Sequence, residues 1–327
     1  MHRHKNLFDS VCSFDNVRSA AVEALRGKRR SMAGASFFCR MESELVALSR
    51  ELSTGEYRHG PYSYFTITDP KERLVAAARF RDRVVHHAIV RVIEPIFENR
   101  FIEDSFACRL GKGTHAAMRR ALHFARGYPY ALKCDVAKYF ASVDHETLIS
   151  LLERVIKEDR LMALVRDILA SHPVGLPIGN LTSQFFANVY LNPLDHFVKH
   201  TLRANGYVRY MDDFILFGDT RVQLQDWGGQ VKAFLGSLRL QMHPTKYRLL
   251  PTVKGVDFAG YVVFSDGRVR VRASSVRRFG RRYRRMLWQV RSSRRQASDL
   301  TQSIQAWVAH ASHAQSYGLR QAVLMHA

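Results

Sequence analysis

An α+β fold, one sheet with helices packed on a single face, is what this sequence predicts, and three observations carry it. Short apolar runs end in acids or are split by them, at 130–135 and at 207–217. Longer segments beside them repeat apolar residues every three to four positions. Strand, helix, hairpin, helix and strand in that order make one sheet layer covered by one helix layer. At 327 residues and 46% hydrophobic, the chain can bury a large core, and its length allows one to three domains.

Residues 1–50 read as helical, interrupted at Arg26-Gly27-Lys28-Arg29-Arg30. A β-prone segment follows at 57–68, with Tyr57, Tyr62, Tyr64, Phe65 and Ile67, and Asp69-Pro70 ends it. Val84, Val85, Ala88, Ile89, Val92 and Ile93 recur at helical spacing, so a helix is expected there until Pro95. Tyr130-Ala131-Leu132-Lys133-Cys134 forms a strand that delivers Asp135 at its end. Asp144 caps a helix whose apolar stripe is Leu148, Leu151, Leu152, Val155 and Ile156. A second long helix starts near Thr182 and carries Phe185, Phe186, Val189, Tyr190 and Phe197.

Tyr207–Met211 and Phe214–Phe217 pair as a hairpin with Asp212-Asp213 at its tip. Helix returns over 221–238, and Val256–Phe264 pairs with Arg268–Arg272 about Ser265-Asp266-Gly267. From Arg268 to Arg295 there are twelve arginines and no acid, interleaved with Phe279, Tyr283, Leu287 and Trp288. That change of character sets a boundary near 266.

Fifty Lys+Arg against twenty-nine Asp+Glu give a formal charge of +21. Such a field attracts polyanions and releases their counterions on contact. No apolar run approaches the ~20 residues of a spanning helix, and MHRHKNLFDS lacks a signal-peptide core. A soluble, cytoplasmic protein without membrane contact is therefore expected. Cys12, Cys39, Cys108 and Cys134 are scattered, which suggests neither a zinc site nor a disulfide framework.

The sharpest feature is Asp212-Asp213. Adjacent carboxylates repel, and turn tips favour glycine or asparagine. Tyr210-Met211 before and Phe214-Ile215-Leu216 after are apolar, so these acids sit at the edge of a dry sheet and need a cation. Hard oxygen ligands with a gap for substrate suit magnesium, which takes one or two carboxylates plus phosphate oxygens. Asp135, also at a strand end, supplies a third acid.

Asp135-Val136-Ala137-Lys138-Tyr139-Phe140, then Gly175-Leu176-Pro177-Ile178-Gly179-Asn180-Leu181-Thr182-Ser183-Gln184, then Tyr210-Met211-Asp212-Asp213 resemble, in order, the core motifs of reverse transcriptases. Arg73-Leu74-Val75, Arg81-Asp82-Arg83-Val84-Val85 and the Ala107–His115 segment are similar to that family's fingers, and Lys246 and Phe258-Ala259-Gly260-Tyr261 to its later palm motifs. The resemblance covers roughly 55–320. It implies a right-hand polymerase fold, with an N-terminal extension and fingers over 1–129, a ferredoxin-like catalytic palm over 130–265 and a helical thumb over 266–327. Ile178-Gly179 and Ser183-Gln184 stand where most bacterial relatives, including group II intron and retron enzymes, carry Gln-Gly and Ser-Pro. That variant is similar to the reverse transcriptases of diversity-generating retroelements, bacterial or phage-encoded. These copy a template-repeat RNA into cDNA with errors at adenines, and work with a small basic homopentameric accessory protein. A retron-like or free-standing intron-type enzyme, or an inactive RNA-binding relative, is the alternative. The chain ends at Ala327, without the added modules expected of intron enzymes.

The resemblance also assigns roles. Asp135 and Asp212 hold two magnesium ions, for which manganese substitutes, with Asp213 a weaker partner and the Val136 carbonyl joining them. Phe140 matches the gate that excludes a ribose 2′-hydroxyl, and it also fits a core position before a helix. Lys71 and Arg73 fall where the dNTP triphosphate is clamped, and Lys246 where a proton reaches pyrophosphate; all three also fit solvated surface cations. Gly179 lets backbone approach the nucleotide, and Ile178 and Gln184 line its site. Arg277, Arg278, Arg281, Arg282, Arg284 and Arg285 grip the RNA–cDNA backbone.

Overall fold

The computed structural model describes residues 4–68 and 72–325. Lys71 and the Asp69-Pro70 turn lie outside the described residues. The chain forms two compact units that interleave in sequence. The first takes Met1–Ile102, Val136–Phe197 and Ala233–Gln241, and the second takes Glu103–Asp135, Val198–Lys232 and Met242–Ala327. Helices and antiparallel sheet occur together, as the α+β expectation required.

In the first unit, helix Phe14–Leu25 packs against helix Phe80–Glu98. Small residues make the close approach possible, because Ala20, Ala21 and Ala24 are buried on one side and Ala88 on the other. Asn16 crosses the seam and donates to the Ala88 carbonyl at 2.9 Å. The helix expected to stop before Pro95 runs on to Glu98. Pro95 sits in the final turn, where its missing N–H and its ring disturb one backbone carbonyl near the helix end rather than the middle. Asp144 caps helix His145–Glu153 as expected, accepting from Thr147 N at 2.9 Å and Thr147 Oγ1 at 2.7 Å.

The apolar, basic segment near 65 becomes a hairpin of β1 (Ser63–Ile67) and β2 (Arg73–Ala77), with Phe65 opposite Val75 and Ile67 opposite Arg73. The second strand escaped the sequence reading. Its backbone is pinned by the 178–180 loop: Ala76 N donates to Ile178 O at 3.0 Å, and Asn180 Nδ2 donates to Ala76 O at 2.9 Å.

The second unit holds the main sheet. Its strands β3 (Tyr130–Asp135), β4 (Gly206–Tyr210), β5 (Asp213–Gly218) and β6 (Arg248–Pro251) lie in the order β4-β5-β3-β6, all antiparallel. With helices between β3 and β4 and between β5 and β6 along the chain, this is the β-α-β-β-α-β order of a ferredoxin-like layer. β6 had no counterpart in the sequence reading, because Arg248-Leu249-Leu250-Pro251 is too short to show alternation.

A separate three-stranded sheet joins β7 (Val256–Phe258), β8 (Tyr261–Val263) and β9 (Val269–Val271). The single strand expected over 256–264 is therefore two. Ala259 and Gly260, both at positive φ, fold the chain back between them. Ala117, Ala121 and Phe124 of helix Thr114–Gly127 cover Ile215, Phe217, Phe258 and Tyr261. The last three helices, Ala273–Arg291, Ala297–Ala311 and Tyr317–Met325, gather round Phe279 and Trp307, whose rings stack at 4.2 Å.

Gly175 lies against the backbone of the short helix Tyr139–Ser142, which carries Phe140. At φ 66° it would place a Cβ 2.3 Å from Phe140 O and 2.7 Å from the Ala141 Cα, and Leu176 N donates to that same carbonyl at 2.7 Å. Backbone cannot yield as a flexible side chain does. Gly175→Ala is expected to lower stability by about 2–4 kcal/mol, from positive φ and overpacking together. Urea unfolding checks it, and a midpoint equal to the parent's would show the loop free to move.

Candidate active site

The tip of the β4–β5 hairpin is set by strain and by a buried arginine. Tyr210 pairs with Asp213 as the last rung, leaving Met211 and Asp212 to make the turn. Met211 has φ 59°, a conformation that costs a non-glycine residue roughly 1–2 kcal/mol. Arg209, with 0% of its surface exposed, donates to Met211 O at 3.1 Å and to Ser105 Oγ at 3.0 Å. Its backbone is also tied to the 104–106 loop, with Arg209 N donating to Asp104 O at 2.9 Å and Phe106 N donating to Arg209 O at 3.0 Å. Asp104 is buried too, and Lys199 lies 2.7 Å from it. Sequence reasoning missed Arg209. The signal was available: one cation inside the apolar run Tyr207–Met211.

Across the sheet, Asp135 at the end of β3 stands directly opposite Asp213 at the start of β5. Like charges in that relation repel. Asp135 is only 7% exposed. Each acid meets a lysine. Lys246 Nζ donates to Asp135 Oδ2 at 2.6 Å, and Lys133 Nζ lies 3.2 Å from Asp213 Oδ2. Burial pushes the Asp213 carboxyl up to about 6, with Lys133 pulling the other way. Asp213 Oδ1 is buried and has no hydrogen-bond partner. A buried carboxylate oxygen without a partner is costly and calls for a cation. The donor set fits a hard divalent ion, which takes one or two carboxylates and completes its shell with water and phosphate oxygens. Among the described residues, no group of three or more His, Cys, Asp or Glu is placed to hold a metal ion by itself, the three acids included.

Arg73, Val136, Phe140, Ile178, Gly179 and Gln184 belong to the first unit. Arg73 is exposed and opens β2. Ile178 O accepts from Ala76 N, and a Cβ on Gly179 would meet Val75 Cγ1 at 2.8 Å, so β2 and the 178–180 loop are joined closely. Gln184 lies in the first turns of helix Leu181–His196 and is half-buried. Of the adjacent aromatics on the short helix Tyr139–Ser142, Tyr139 takes the core and bonds the Ala187 carbonyl, while Phe140 stays half-exposed. Val136 is buried. In the second unit, Arg277, Arg281 and Arg284 line a cleft of about 440 Å³ with Gly280 and Val323. Arg278, Arg282 and Arg285 lie one position further round the same helix.

Residues 68–263 match the family model described as reverse transcriptase (RNA-dependent DNA polymerase). The chain is similar to Protein YkfC of Escherichia coli (strain K12), 26% identical over 313 residues that cover 78% of this chain and 82% of that protein. It is also similar to the group II intron-encoded protein LtrA of Lactococcus lactis subsp. cremoris, 26% identical over 170 residues. That match covers 48% of this chain and 28% of LtrA, so the likeness spans under a third of the intron-encoded protein. Among solved structures, telomerase from Candida albicans with a TWJ fragment of telomeric RNA matches with a TM-score of 0.51 at 10% identity. The match covers 69% of this chain and 49% of that one. This last likeness shows the shared fold.

Arg209→Met keeps most of the volume but removes the donors to Met211 O and Ser105 Oγ. A loss of about 2–4 kcal/mol is expected, because buried acceptors lose a charged partner. Thermal unfolding measures it, and a parent-like melting temperature would show that the turn holds itself.

Proposed function

Because this chain belongs to the reverse transcriptase (RNA-dependent DNA polymerase) family, we propose that it extends a primer on an RNA template at the edge bearing Asp135, Asp212 and Asp213. The observation that carries this reading is the opposed pair Asp135 and Asp213, with one buried oxygen of Asp213 lacking a partner. Asp135 and Asp212, helped by Asp213 and the Val136 carbonyl, would hold two magnesium ions, which neutralise phosphate charge and lower the pKa of the primer 3′-hydroxyl. Manganese substitutes for them.

The remaining residues orient and select. Arg73, with Lys71 two residues before it in sequence, clamps the triphosphate of a dNTP. Phe140, with its neighbour Tyr139 taking the core position, keeps a ring free to lie against C2′ and reject a 2′-hydroxyl. Gly179 admits backbone close to the nucleotide, with Gln184 nearby. Lys246, once released from Asp135, has an ammonium proton to give the departing pyrophosphate. The arginines at 277, 278, 281, 282, 284 and 285 hold the RNA–cDNA backbone without reading sequence.

A finer assignment rests on the Ile178 and Gln184 variants. We infer that the template is a repeat RNA of a diversity-generating retroelement. An apolar Ile178 offers no amide to hydrogen-bond near the incoming base, so the site has less means to reject mispairs. A small basic homopentameric partner belongs to the same reading. The similarity to LtrA favours an intron-type enzyme instead. Two near-identical genomic repeats that differ at template adenines, and adenine-directed errors in cDNA made with the partner, decide for the retroelement. Faithful copying without such repeats decides for the intron type.

Asp212→Asn and Asp213→Asn should each reduce primer extension about a thousandfold or more, since the acids serve several kcal/mol of transition-state stabilisation. Both variants should fold as the parent does. Extension near the parental rate by either variant would remove the central assignment.

Phe140→Ala should admit ribonucleotides, lowering rNTP/dNTP discrimination by about tenfold or more while dNTP use changes less. Steady-state kinetics with matched nucleotides measures it. Unchanged selectivity would return Phe140 to a purely structural place.

A further inference from the structure

Two lysines face the carboxylates, and they are not alike. Lys246 is 37% exposed and reaches Asp135 from the turn that follows His243. The Lys133 side chain is 15% exposed and held at two points. Two residues before Asp135 on β3, it projects from the same face of the strand. Its ammonium is 3.2 Å from Asp213 Oδ2 and donates to the Asp257 carbonyl at 2.6 Å. That carbonyl is itself fixed. Asp257 lies in β7, and its carboxylate accepts at 2.7 Å from Nε of Arg272, the residue that precedes helix Ala273–Arg291. Lys133 is therefore bonded at two points, whereas Lys246 is the more exposed of the two and is bonded to Asp135.

We propose that Lys133 is a positioning residue and fixed counter-ion for Asp213, which holds Oδ2, leaves Oδ1 as the oxygen offered to a cation, and weakens cation binding until nucleotide arrives. The proposal rests on the reading that Asp213 serves the catalytic cations. Two opposed, largely buried carboxylates would by themselves draw a divalent ion strongly, because interaction between charges rises as solvent is excluded. A unit positive charge placed against one of them works against that draw. Phosphate oxygens arriving with a dNTP then complete a shell that protein carboxylates alone leave open. Full loading of the site is thereby coupled to the presence of substrate, and Asp213 stays in one orientation throughout.

The test uses the full-length, nucleotide-free protein titrated with Mn2+, with free Mn2+ read by electron paramagnetic resonance. Lys133→Met should bind Mn2+ at least tenfold more tightly than the parent, and Lys133→Arg, which keeps the charge, should bind as the parent does. Adding a non-hydrolysable dNTP should tighten Mn2+ binding in the parent more than in Lys133→Met. Lys133→Gln, which removes the charge but keeps a donor for the Asp257 carbonyl, should shift affinity in the same direction should the methionine variant aggregate. Parent-like or weaker Mn2+ binding in the folded charge-removed variants overturns the proposal, and a lower melting temperature with unchanged Mn2+ affinity reduces Lys133 to a tie between strands. Asp213→Asn separates the two levels of argument. If it leaves both Mn2+ binding and primer extension at parental values, the underlying reading fails rather than the role of Lys133.

Discussion

The structure turns on a repulsion. Antiparallel pairing of β3 with β5 places Asp135 opposite Asp213, and the same register buries Asp135 and half-buries Asp213. Neither burial nor like charge favours this on its own. The fold accepts it because the same pairing aligns Ala131, Ile215 and Phe217 under helix Thr114–Gly127, and a one-residue slip would turn those side chains out of the core. Core packing thus dictates where the acids stand, and the lysines make the arrangement tolerable.

The hairpin tip carries a second cost, met in another way. Met211 occupies a conformation suited to glycine, in the turn that also presents Asp212. A glycine there would relieve the backbone but loosen the turn. Instead, Arg209 is buried whole and its guanidinium bonds the Met211 carbonyl, so the turn is held from beneath by a rigid, multi-donor group. Asp104, Lys199 and Arg120 extend that polar network behind the sheet. Strain at the tip and satisfied polar groups behind it belong to one design, in which a shallow turn keeps its acids in fixed positions.

Much of this was legible in the sequence, for reasons that can be stated. Short apolar runs and acid placement gave β3, β4, β5 and the hairpin that joins the last two, since a buried strand must be apolar and its end is where a charge survives. Asp144 announced its helix because a cap needs a short acceptor at one position. What escaped were features set by distant partners. β2 and β6 are short and owe their conformation to strands and loops far away in sequence. The turn at Ala259-Gly260 hides in an unbroken apolar run. Pro95 was read as a stop, yet the packing of helix Phe80–Glu98 carries the chain past it. Arg209 and Lys133 looked like ordinary cations in strands, and only register shows one beneath the turn and the other beside Asp213.

The charge balance works on two scales that do not compete. The whole chain carries +21, which acts on a polyanion during approach and is screened beyond about 8 Å at physiological salt. At the sheet edge, Lys246 meets Asp135 and Lys133 meets Asp213, each pair partly screened from solvent. Neighbours within a few ångström act there more strongly than the distant surface charge. On the proposed reading, each lysine offsets one carboxylate, so phosphates arriving with a nucleotide would add the oxygen ligands that the protein alone does not supply.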